Sequence, residues 1–132
     1  MVDGEGKDFA ASAKNTTSTT YNLKKVQQYF QAGLKELGQD SLTLNLLGDD
    51  DAVTKSITEF LQSQLTSHLD GLKVEVTNIP KQSRITRMQS GDYDLVFTGW
   101  GSDFQDAISF LNLFTTESAH NFGKWGNTQY DD

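Results

Sequence analysis

The chain has 132 residues, 36% of them hydrophobic and 22% charged, enough for one domain with a core of its own. Eighteen acidic against eleven basic residues give a net charge of −7, a sign that argues against nucleic acid or an anionic membrane as the main partner. The absence of cysteine excludes disulfides, zinc–thiolate sites and thiol catalysis, and no apolar run approaches the roughly 20 residues of a membrane helix.

Residues 1–20 are small and polar, without an apolar period or a charged-then-apolar leader pattern, and read as a loop or polar arm. Asn15-Thr16-Thr17 matches a glycosylation acceptor, a triplet common by chance. From Asn22 the pattern changes, and residues 21–132 read as a single α/β domain. Leu23, Val26, Phe30, Leu34 and Leu37 recur at helical spacing, and Gly38 stands where that helix would stop. Leu42, Leu44, Leu46 and Leu47 mark a first strand. Asp49, Asp50 and Asp51 form a turn suited to capping the next helix, which carries Val53, Ile57, Phe60, Leu61 and Leu65 and ends near Gly71. Leu72, Val74, Val76 and Ile79 predict a second strand. Pro80 fits the first turn of a short helix through Ile85 and Met88, closed by Gly91.

Tyr93 to Thr98 predicts a third strand, whose unbroken Leu95-Val96-Phe97 run implies cover on both faces. Gly99 and Gly101 flank Trp100 where that strand ends, and Asp103 follows. The glycines free the backbone there, and strand ends are where open α/β sheets bind ligands. Asp106 is placed to cap a last helix through Ile108, Leu111 and Phe114, and the polar tail keeps Phe122, Trp125 and Tyr130 as anchors. Strands joined by helices imply parallel pairing and right-handed crossovers, hence a three-layer α/β/α domain with a small, mainly parallel sheet.

The candidate sites each carry two readings. Asp103 is either a carboxylate that pairs with a ligand ammonium or a turn aspartate bonded to nearby amides. Trp100 either covers a ligand or plugs the sheet end. The Asp49–Asp51 cluster either holds a divalent cation or caps a helix. His68 and His120 lack partners at metal or triad spacing, Arg84 and Arg87 read as a solvated helix face, and there is no Gly-rich phosphate loop or serine nucleophile elbow. The acids after the first strand also admit a phospho-receiver-like signalling domain using Mg, although Thr98 and Gly99 stand where its phospho-accepting aspartate belongs.

The run from Gly91 to Phe104, with Ser109-Phe-Leu-Asn-Leu-Phe114 and Asn121-Phe-Gly-Lys-Trp-Gly-Asn-Thr-Gln-Tyr-Asp131, resembles the oligopeptide-binding proteins of ABC importers. Leu42 to Asp51, Phe60 to Leu65, Gly71 to Val76 and Gly6-Lys-Asp-Phe9 extend the likeness over almost the whole chain. The resemblance implies part of one lobe of a periplasmic-binding-protein-like fold, from a longer two-lobe protein that hands an extended oligopeptide to a membrane permease. It implies no enzyme activity and no cofactor, a monomer, and a place outside the cell, lipid-anchored or periplasmic. Carried over residue by residue, it makes Asp103 the partner of the peptide α-amino group and gives Trp100 and Gly101 the peptide main chain. Phe97 stands where some relatives place an arginine for short-peptide carboxylates.

Overall fold

A computed structural model describes residues 2, 5–13 and 19–132. In chain order the elements are α1 (Phe9–Ser12), α2 (Leu23–Glu36), β1 (Leu42–Asp49), α3 (Ala52–His68), β2 (Leu72–Ile79), α4 (Lys81–Ser90), β3 (Leu95–Val96), α5 (Ile108–Leu111), a 3-10 turn at Asn112–Phe114, and α6 (Thr128–Asp131). The chain groups into two compact units, Tyr21–Thr98 on the one hand and Met1–Thr20 with Gly99–Asp132 on the other.

The first unit holds the sheet, with strand order β2-β1-β3 and both pairings parallel. β1 and β2 run in register from Leu42 opposite Leu72 to Asp49 opposite Ile79. Because β2 and β3 lie on opposite sides of β1, right-handed crossovers put α3 and α4 on opposite faces of the sheet. The side chains agree: Gly48 faces Thr54 and Thr58 of α3, whereas its neighbour Asp49 faces Arg84 of α4. The three-layer α/β/α expectation therefore holds, around a core of Leu34, Leu46, Leu47, Leu69, Val74 and Met88.

The helices are where the sequence puts them, but two bury only part of the apolar stripe expected of them. On α3 the buried residues are Thr54 and Thr58, with Ile57, Leu61 and Leu65 half-buried, while Val53 and Phe60 are 69% and 61% exposed. Gly48 explains why threonines take the most buried positions. A Cβ there would lie 3.0 Å from both threonine methyls, so helix and strand approach at a distance only small side chains allow. The Thr58 hydroxyl is satisfied within the helix by donating to the Thr54 carbonyl at 3.0 Å. On α2 only Leu34 is buried, and Val26 and Leu37 stay exposed. Its seam is partly polar: the Gln27 and Gln31 amides donate to the carbonyls of His68 and Asp70, both at 2.9 Å, and Leu34 packs against Gly71.

Helix ends follow the chemistry expected of them. The Asn22 carboxamide accepts from the Lys25 amide, and the Asp51 carboxylate accepts from the amides of Val53 and Thr54. Gly38 and Gly91 close α2 and α4 in left-handed conformations, each with paired bonds from the following turn to the last helical carbonyls. Pro80 stands just before α4 rather than within it, and its carbonyl accepts the amide of Arg84.

β3 is shorter than the predicted Tyr93 to Thr98. The Asp94 carboxylate, not a carbonyl, takes the Asn45 amide at 2.7 Å, and pairing ends once the Phe97 amide has reached the Leu47 carbonyl at 2.9 Å. Nor is the run covered on both faces, since Leu95 is exposed and Val96 and Phe97 are half-buried.

In the second unit, Val2 and Asp8 form an antiparallel bridge and α1 follows it, a short helix that no apolar period announced. The Asn15–Thr17 triplet lies outside the described residues. The last predicted helix breaks into α5 and the 3-10 turn, and Asp106 caps it through the Ile108 amide at 3.0 Å. The tail is tied by side chains. Asn121 brackets the backbone of Trp125, and Asp131 accepts from the Thr116 hydroxyl at 2.6 Å and its amide at 2.8 Å.

Candidate functional site

Trp100, Gly101 and Asp103 all lie in the second unit, in irregular backbone between β3 and α5. The Trp100 indole N–H donates to the Ser109 carbonyl at 3.1 Å. Ser109 is buried, and its hydroxyl donates to the carbonyls of Asp106 at 2.9 Å and Phe104 at 3.3 Å. A second side of the indole meets the His120 ring, centroids 4.8 Å apart and planes at 61°, and His120 in turn meets Phe122 edge-on at 6.3 Å. Trp100 nonetheless keeps 42% of its surface exposed. It is a held aromatic with an open side, not a plug of the core.

Asp103 is exposed and makes no hydrogen bond or ion pair among the described residues. The turn role falls to Asp106 instead. Gly101 corrects one expectation. Neither it nor Gly99 has a positive φ, and a Cβ on either would meet nothing within 4 Å. Their value is a bare backbone edge beside open space, not an unusual conformation.

The acidic turn after β1 is divided among structural tasks. Asp49 pairs with Arg84, Nε to Oδ1 at 2.6 Å, and Asp51 caps α3. Hydrogen bonds from Thr54, its side chain first and then its amide, hold the Asp51 carboxyl below the ordinary aspartate value. No group of three His, Asp or Glu side chains able to hold a metal ion occurs among the described residues, so the Mg-site alternative has no geometry behind it. Arg84 is not the solvated residue its helix position suggested: it is 6% exposed and also donates to the Met88 sulfur at 3.0 Å. Arg87 is partly exposed and pairs with Asp92 at 2.8 Å. His68 closes α3, a ring nitrogen sharing a hydrogen bond with the Gln64 carbonyl at 2.8 Å. Sequence reasoning missed His120 and Ser109 as supports of Trp100, because each is remote in the chain and matches no motif.

The first unit is thus a small parallel sheet with helices on both faces, and the second holds a half-open tryptophan three residues before an acid without a hydrogen bond or ion pair among the described residues. The chain belongs to the bacterial extracellular solute-binding proteins, family 5, whose description "Bacterial extracellular solute-binding proteins, family 5 Middle" it matches over residues 5–122. It is 38% identical over 128 residues to the dipeptide-binding protein of Lactococcus lactis subsp. cremoris, covering 96% of this chain and 23% of that protein. Among solved structures it is similar to Listeria monocytogenes OppA bound to peptide, with a TM-score of 0.90, 37% identity, and coverage of 98% of this chain and 25% of the other. The substrate-binding domain of an oligopeptide ABC transporter from Bacillus anthracis gives 0.90 and 27%, covering 99% of this chain and 25% of the other. The chain thus spans about a quarter of the length of these relatives. Among the described residues no helix is long and apolar enough to cross a membrane.

Proposed function

We propose that the chain is part of the substrate-binding component of a peptide ABC importer, and that it takes the amino-terminal end of an extended oligopeptide. In this reading the Asp103 carboxylate pairs with the peptide α-ammonium, and the backbone beside Trp100 and Gly101 bonds the peptide main chain. The observation that carries it is the pairing of opposites in one short segment: an aspartate with no hydrogen-bond or ion-pair partner among the described residues, three residues from a tryptophan fixed at its N–H but open on one side. Relatives of this chain carry peptide names, and one was solved with peptide bound, which supports the ligand class. Main-chain bonding gives affinity without reading side chains and so permits many sequences. In the full-length protein, a second lobe would close over the peptide by a hinge motion. A permease would then receive it at the outer face of the membrane, where the full-length protein is lipid-anchored or periplasmic. No covalent step is required.

The test uses the full-length protein and one hexapeptide in two forms, free-amine and N-acetylated. Acetylation removes the ammonium, and Asp103→Asn removes its counter-charge. Either change is expected to weaken binding by about 10- to 100-fold, the worth of a charged hydrogen bond. The two together should cost little more than one alone. An N-acetylated peptide that binds as tightly as its free-amine twin would sink the anchor role.

A further inference from the structure

Resting on that reading, we propose that His120 is a positioning residue for the Trp100 edge of the site. The sequence gives His120 no task, since no metal or triad partner stands at a suitable spacing. The structure gives it one. Its ring packs against the Trp100 ring at 4.8 Å, and Phe122 backs it at 6.3 Å with planes at 84°. The backbone around it is tied locally: the His120 amide donates to the Ser118 hydroxyl at 3.3 Å, and the Phe122 amide donates to the His120 carbonyl at 2.9 Å.

An indole turns about two side-chain torsions. The bond from Trp100 Nε1 to the Ser109 carbonyl fixes one point of the ring but leaves rotation about that point. The His120 ring supplies a second constraint, set at 61° to the indole plane. Two constraints leave Trp100 one orientation while its exposed side stays available. Each ligand then meets a ring already in place, and ordering it costs nothing at the moment of binding. His120 acts through Trp100, and no contact of its own with ligand is needed.

The experiment uses the full-length protein labelled with 5-fluorotryptophan, its Trp100 line assigned by loss of that line in Trp100→Phe. Fluorine spectra are recorded without ligand, and affinity is measured for the free-amine hexapeptide. His120→Ala is expected to shift or broaden the Trp100 line and weaken the peptide about three- to tenfold, the loss of one aromatic pair. His120→Phe keeps an aromatic edge and should restore both readouts to within about twofold of wild type. A Trp100 line that does not move in His120→Ala overturns the proposal, as does an unchanged affinity or a Phe variant as weak as the Ala variant. If Asp103→Asn and N-acetylation leave affinity unchanged while His120→Ala still moves the line and weakens binding, the ammonium anchor falls and the positioning role stands. The reverse pattern removes His120 and keeps the anchor. A wild-type protein that binds no hexapeptide overturns both.

Discussion

Two glycines show how the same residue type serves opposite purposes. Gly71 has φ +90°, and a Cβ there would stand 2.7 Å from the Asp40 carbonyl oxygen. That oxygen is backbone and cannot swing aside, so Gly71→Ala is expected to cost more than about 1 kcal/mol, read by urea denaturation. Gly101 has neither constraint. Gly101→Ala should leave stability within about 0.5 kcal/mol of wild type and yet weaken peptide binding if the peptide main chain lies against that edge. Loss of stability without loss of binding would argue that Gly101 serves the fold. Asp103 and Asp106 make the parallel contrast among acids. They are three residues apart in one loop, and only Asp106 spends its carboxylate on a helix amide. Sequence placed the helix-start role at Asp106, just ahead of the apolar run from Ile108, but left Asp103 between a turn and a ligand role, and the apolar spacing there allowed a longer helix than the one formed.

The link between β1 and α4 rests on Asp49 and Arg84, whose side chains are 25% and 7% exposed. Removing the arginine would leave Asp49 half-enclosed without a counter-charge. Arg84→Ala is therefore expected to destabilise by about 3 kcal/mol, the lower end for a buried pair because Asp49 retains some solvent. Replacing both residues by apolar ones, Arg84→Met with Asp49→Leu, should recover most of that loss in the same denaturation series. A double variant no better than the single one would mean that the pair is not the source of the effect. Element order, parallel pairing and helix ends were legible in the sequence, because periodicity and the residues Asn22, Asp51, Gly38 and Gly91 act over a few residues. Burial was less legible. The burial of threonines on α3 is set by Gly48 of β1, and the solitude of an arginine on α4 is cancelled by an aspartate 35 positions earlier. Those pairings are long-range, and no local pattern encodes them. The candidate site divides the same way: Trp100, Gly101 and Asp103 stand out in the chain, whereas Ser109 and His120 become visible only once the loop has closed.

At the scale of the molecule, each of the two compact units carries a titrating clamp among its described residues, Asp51 at the start of α3 and Asp131 in the tail. Both carboxyls are held below the ordinary aspartate value, Asp51 chiefly by the Thr54 side chain and Asp131 chiefly by that of Thr116. The sign follows from linkage. A lowered folded-state value stabilises fully above the unfolded value, near pH 4, and that stability is lost as pH falls through the lower folded value. Both tryptophans, Trp100 and Trp125, belong to the unit containing Asp131, while the three longest helices, α2, α3 and α4, belong to the unit containing Asp51. Tryptophan emission and far-ultraviolet circular dichroism therefore report largely on different units. If each unit opens on its own, Asp131→Asn should shift the acid transition seen by emission and leave the dichroism transition in place. Asp51→Asn should do the reverse. The loss of stability in each variant should be full above about pH 4 and shrink as pH falls through the lowered folded value, since an asparagine is neutral at every pH and has one accepting oxygen where the carboxylate has two. Coincident transitions that move together for either variant would instead show the chain unfolding as one cooperative body.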